Sequence, residues 1–186
     1  DSKLEIVAAV GRTGYAGGVY IISSTGQILG ELNGDPADTG FSGIDNLHAV
    51  LSDLDGDGKM EIIASAYGSG VPDRHEKLYI WKGDGSLLSG WPKTSNNGEF
   101  GEPVVFGSGS NKRIVANNGN IHGEPQSIDS YSVDGTLLWR LYFNDEDKYP
   151  PKLLAADIDS DGSVEIVAWV RVADGYYYHH AVYIIN

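Results

Sequence analysis

Apolar residues in this chain fall in short runs, alternating or continuous, and no window carries a stripe that recurs every 3.6 residues. The runs are rich in Val, Ile, Leu and Tyr and are bounded by Gly, Asp, Asn and Ser, which predicts strands joined by tight turns. Four of them repeat one pattern: "EIVA" from Glu5, "EIIA" from Glu61, "RIVA" from Arg113 and "EIVA" from Glu165, spaced by 56, 52 and 52 residues. Each continues into a second run and a turn, as in "VYIISSTGQILGEL" from Val19, "LYIWKGDGSLLSGW" from Leu78 and "IDSYSVDGTLLWR" from Ile128. The last copy reads "AVYIIN" from Ala181. Asp84-Gly85 and Asp134-Gly135 are hairpin signals. A further run precedes the pattern, "LHAVLS" before Asp53, "EPVVF" from Glu102 and "KLLAA" before Asp157.

Four antiparallel strands per repeat at this spacing predict an all-β chain built from propeller blades. Calling the strands A to D from the axis outward, the inventory is BCD, ABCD, ABCD, ABC. That is a partial β-propeller of about three and a half four-stranded blades in one segment, 1–186, with repeats near 1–46, 47–98, 99–150 and 151–186. A propeller does not close on that number. The expectation is a segment of a longer propeller, a seven-bladed ring being one candidate, whose remainder comes from another chain segment. The alternative is a second copy, since twice fourteen strands make seven blades.

Composition narrows the function. The chain has 186 residues and a net charge of −13, which disfavours nucleic acid and anionic membranes as partners because both require a cationic face. There is no Cys, so neither disulfides nor a thiol nucleophile are available, and no apolar run approaches membrane-spanning length. The opening Asp1-Ser2-Lys3-Leu4-Glu5 does not read as a signal peptide.

The chemistry concentrates in "DLDGDGKME" from Asp53 and "DIDSDGSVE" from Asp157, with acids at the first, third, fifth and ninth positions. Alternating Asp53, Asp55 and Asp57 can turn inward in a curled loop, Gly58 permits a positive φ, and Glu61 returns a carboxylate from the next strand. The Lys59 carbonyl is a further candidate ligand. Asp157, Asp159, Asp161, Glu165, Gly162 and the Ser163 carbonyl repeat the set. Hard oxygen donors in this number suit calcium, so two Ca2+ sites are expected. A metal-free Asx-turn hairpin is the alternative, disfavoured by the repulsion between unrelieved carboxylates. An EF-hand is excluded by Ala64 and Ala168 at the twelfth position.

These loops, with "AGGVYII" from Ala16, resemble the integrin-alpha-type β-propeller repeats, the FG-GAP and VCBS repeats, and "GSLLSGWP" ending at Pro92 is similar to bacterial or archaeal surface and secreted members. The resemblance implies an extracellular or cell-surface, calcium-stabilised recognition and adhesion propeller.

The other repeats depart from the pattern. In the third, the first ligand positions fall on Val105, Gly107 and Gly109, and Arg113 replaces the terminal acid, so no ion is expected. In the first, Asp1 and Glu5 match the third and last ligands, a partial metal site in a chain that starts inside the loop.

Strand order puts the acidic loops and C–D turns on one face and the B–C loops on the other. The B–C loops carry Arg74 and His75, then Tyr176, Tyr177 and His179 within "YYYHH", groups able to stack on and hydrogen-bond to a carbohydrate or protein ligand. Their alternative role is to cover a neighbouring blade. Trp81, Trp91, Trp139 and Trp169 read as packing residues. Catalytic motifs are absent: there is no GxSxG elbow, phosphate loop or dinucleotide fingerprint. The reading is a non-catalytic, calcium-binding recognition module. The alternatives are a propeller of a calcium-dependent polysaccharide lyase, an accessory domain of a secreted hydrolase, or a structural component of a surface filament or layer.

Overall fold

The computed structural model describes residues 4–10, 18–32, 49–67, 76–95, 100–118, 126–143, 152–174 and 177–185. Among them are fourteen strands, one short 3-10 helix at Gly109–Asn111 and no α-helix, so the chain is all-β. β1 (Glu5–Val10), β2 (Gly18–Ser23) and β3 (Ile28–Leu32) form a first antiparallel sheet; β4 (Val50–Ser52), β5 (Glu61–Tyr67), β6 (Glu76–Trp81) and β7 (Lys93–Thr94) form a second. The third holds β8 (Val104–Phe106), β9 (Arg113–Asn118), β10 (Gln126–Ser132) and β11 (Leu137–Phe143), and the fourth β12 (Lys152–Ala156), β13 (Glu165–Asp174) and β14 (Tyr177–Ile185). Strands follow chain order within each sheet, and none of the sheets closes on itself.

Burial on both faces explains why the repeated motif reads as a continuous apolar run rather than an alternating one. Ile62 and Ala64 turn toward the first sheet, where Val19 and Leu32 meet them with Tyr79 and Trp81. Ile63, with Leu78, Ile80, Leu88 and Trp91, turns the other way, onto Phe100, Ile114, Ala116 and Tyr131 of the third. Val115, Ile128 and Phe143 then pack against Leu153, Ile166, Ala168 and Val170 of the fourth. Each buried Val, Leu, Ile or Phe among them contributes about 1.5–3 kcal/mol relative to exposure. The sheets therefore stack face to face in chain order. Backbones of neighbouring sheets approach within 8 Å at β4 with β8 and at β12 with β8 and β9, so the second, third and fourth sheets come close near their first strands.

The outer hairpins share one turn. Ser23, Lys82 and Ser132 each donate their N–H to the carbonyl four residues on, and Gly26, Gly85 and Gly135 take φ of 84°, 84° and 81°. A turn closed by a left-handed glycine is the three-residue hairpin with a bulge, and only Gly meets that φ without strain.

Three features differ from the sequence reading. The outer strand after Asp84-Gly85 is broken: only Leu87 bridges Trp81, and β7 resumes at Lys93. Pro92 has no N–H to give the ladder, and Trp91 instead turns into the interface, where Nε1 donates to the Val133 carbonyl at 2.8 Å. Val105 lies inside β8 opposite Ile114, so the third loop runs only from Gly107 to Lys112, shorter than the two acidic loops. Trp169 is 53% exposed, because no described sheet covers its face of the fourth sheet; its ring meets His180 edge-on at 5.1 Å.

A buried ion pair joins two strands of the third sheet. Asp129, fully buried, accepts two hydrogen bonds from Arg140 at 2.6 and 2.7 Å, and others from Ser127 and Tyr131 at 3.0 and 2.9 Å. Burial, and secondly the Asp129 charge, push the Tyr131 hydroxyl well above the usual phenol range.

Candidate metal centre

The first acidic loop spans the gap between paired residues Ser52 and Glu61. Gly56 and Gly58 take φ of 81° and 83°, which curls the chain so that successive amides point at carboxylates. Gly56 and Gly58 donate to the two oxygens of Asp53 at 2.7 and 3.2 Å, Asp57 donates to Asp55 at 3.2 Å, and Lys59 to Asp57 at 2.8 Å. Glu61 is 1% exposed, and its Oε2 accepts the Leu54 amide at 2.7 Å. Burial holds its carboxyl above the ordinary value; the Leu54 amide opposes this, and the charges of Asp55 and Asp57 add to it.

The second loop, between Ala156 and Glu165, repeats four of these five bonds, and the Asp157 oxygen equivalent to the one that takes the Gly56 amide accepts instead from Asp161 at 3.1 Å. Gly162 donates to Asp157 at 3.0 Å, Asp161 to Asp159 at 3.2 Å, Ser163 to Asp161 at 2.7 Å, and Ile158 to Glu165 at 3.0 Å. Gly162 has φ 92°, and Ser160, opposite number of Gly56, has φ 63° despite its Cβ. Leu54, Ile158 and Ser160 are loop-shaping positions the sequence reading missed. The signal for Ser160 was its place opposite a glycine in the sister loop.

Carboxylate oxygens of Asp53, Asp55 and Asp57 lie within 4.8 Å of one another, as do those of Asp157, Asp159 and Glu165. Two donors about 2.4 Å from one cation stand at most about 4.8 Å apart. Each trio can therefore reach one cation through hard oxygens, and each carboxylate that accepts an amide keeps lone pairs for an ion. The converging trios differ. In the first loop Glu61 is tied to Leu54 beside the trio, and in the second Asp161 is tied to Ser163. Lys59 and Ser163, expected to offer carbonyls, sit directly after these turns. Lys82, at the start of the hairpin turn after β6, brings Nζ to 3.8 Å from Asp55, and Lys59 Nζ lies 3.7 Å from Asp57. The loop and the hairpin turn of that sheet thus share one end.

In the third repeat Gly107 has φ 86°, Gly109 opens the 3-10 helix, and Arg113 donates Nη1 to the Lys112 carbonyl at 3.0 Å. Glu5 begins β1, exposed and paired with Ser23. Asp1, Arg74, His75 and Tyr176 lie outside the described residues. Tyr177 and His179 belong to β14, opposite Asp174 and Val172. No helix among the described residues is long and apolar enough to cross a membrane.

No family model, curated protein or solved structure matches the chain.

Proposed function

We propose that this chain is a calcium-stabilised segment of a β-propeller of the integrin-alpha, FG-GAP and VCBS type, acting outside the cell or on its surface as a non-catalytic recognition module for carbohydrate or protein. The observation that carries the reading is the recurrence of one acidic loop at two equivalent places in the repeat, each with the same amide-to-Glu bond and a converging trio of carboxylates. The propeller part is supported by sheets that stack face to face in chain order, the second, third and fourth coming close near their first strands.

Bound calcium would supply positive charge that offsets the repulsion among the loop carboxylates. The chain's own residues do the rest. Gly56, Gly58 and Gly162 set the curl, the Leu54 and Ile158 amides orient Glu61 and Glu165, and the paired strands carry that rigidity across each sheet. Recognition is assigned to the opposite ends of the strands, where Arg74, His75, Tyr176, Tyr177 and His179 fall in the repeat. A glycan array and an affinity pull-down, run with calcium and with chelator, test the assignment. Binding lost in the paired Tyr176→Ala and Tyr177→Ala variant, with its calcium-dependent melting shift intact, supports it. Binding unaffected by that variant removes the proposed face.

A further inference from the structure

Asn117 and Ser130 are fully buried, and neither the amide oxygen and nitrogen of Asn117 nor the hydroxyl of Ser130 has a hydrogen-bond partner. Both face the fourth sheet. Side chains alternate along a strand, so Asn117 shares the face of Val115 and Ser130 that of Ile128, and these two pack against Leu153, Ile166, Ala168 and Val170. Asn117 stands opposite Ile128 and Ser130 opposite Val115, which makes the polar pair a diagonal of the ladder. Diagonal neighbours lie about 7–8 Å apart, and somewhat less between Cβ atoms.

The amide is seated against a glycine. A Cβ on Gly101 would stand 2.2 Å from Asn117 Oδ1 and 2.6 Å from Nδ2, so the amide occupies space that only a glycine leaves. One repeat earlier the equivalent positions hold Ser65 and Ile80, and Ile80 is fully buried in the apolar core that joins the second and third sheets. A smaller, polar side chain thus stands at the third and fourth sheets where the preceding boundary has an isoleucine.

Protein interiors leave few polar groups unpaired, and those the chain does not pair are met by buried water with roughly two to four polar partners. Two hydrogen bonds of about 2.9 Å end to end span just under about 6 Å, which suits this diagonal. The amide brings both donor and acceptor, and so does the hydroxyl. Neither carries a charge that would offset the lost hydration of an ion.

We infer that the boundary of the third and fourth sheets holds one internal water, hydrogen-bonded at once to the Asn117 side-chain amide and the Ser130 hydroxyl. It ties β9 to β10 on the face otherwise closed by Val115, Ile128 and Phe143. The inference is independent of calcium.

The test is magnetisation transfer from water by NMR on the intact, isotope-labelled protein, read at the Asn117 side-chain NH2. A cross-peak from a long-lived water is expected. Ser130→Ala should abolish it and lower the urea midpoint, because the water and Asn117 then lose a partner. With an unpaired hydroxyl the same change would raise the midpoint instead. Gly101→Ala, which pushes the amide off its seat, should also abolish the peak, with unchanged amide shifts in the second sheet as the check of folding. The inference is overturned if the native chain gives no cross-peak, if Ser130→Ala leaves the peak unchanged, or if its midpoint equals or exceeds the native one.

Discussion

The Oε2 atom of Glu61 accepts the backbone N–H of Leu54 at 2.7 Å, so the last acid of the loop locks its second residue in place. Glu165 and Ile158 repeat the bond at 3.0 Å. One buried carboxylate thereby serves both the loop's shape and its negative charge, and the two roles separate by mutation. Glu61→Ala leaves the buried Leu54 amide without its partner and should destabilise the calcium-free protein by about 1–3 kcal/mol in urea unfolding. Glu61→Gln keeps an acceptor oxygen while removing the charge. It should unfold close to the native chain without calcium and gain far less from calcium.

The same carboxyl gives a pH signature. Burial raises its pKa in the folded chain above the ordinary value of 4.5, so the folded state holds the proton more tightly than the unfolded state does. The associated stability is fully present below that ordinary value and is lost as pH rises through the raised one. Urea unfolding in chelator from pH 4.5 upward should show this decline, and Glu61→Gln should show a shallower one. Equal slopes would exclude Glu61 as its source.

Lys82 competes with any cation for Asp55, from 3.8 Å. An exposed pair of this kind is worth about 0.2–1 kcal/mol. Lys82→Ala should therefore tighten calcium at the first loop by up to about fivefold, with the second loop unchanged, as read by calorimetry. Weaker binding would mean that Lys82 supports the loop instead of opposing the ion.

Asp129 is the one fully buried acid with a bidentate arginine among the described residues. Removing one partner of a buried pair leaves the other unpaired, so Asp129→Asn should cost about 3 kcal/mol by denaturant unfolding. Calcium affinity should not move, because the cluster lies in the interface of the second and third sheets and away from both loops.

Much of this was legible in the sequence because the signal came four times. The spacing of Glu5, Glu61, Arg113 and Glu165 predicted an all-β chain, and the alternation of Asp53, Asp55 and Asp57 predicted carboxylates that meet. Gly58 and Gly162 were expected at positive φ and have it. What escaped was set by packing and backbone. Amide donors such as Leu54 leave no trace in a side-chain pattern. Ser160 adopts a glycine-like φ that its identity argues against. The turn of Trp91 into the next sheet depends on a neighbour, Val133, 42 residues away. Val105 was placed in the third loop by repeat spacing alone, and strand pairing puts it in β8 because that loop is shorter.

The most direct test of the central claim is calcium titration of the folded, chelator-stripped protein by isothermal calorimetry. The account predicts two ions per chain, reduced to one by Asp55→Ala and separately by Asp159→Ala, with a melting temperature that climbs with the logarithm of free calcium. No heat of binding and no melting shift at millimolar calcium would contradict it, leaving the two loops as metal-free Asx-turn hairpins.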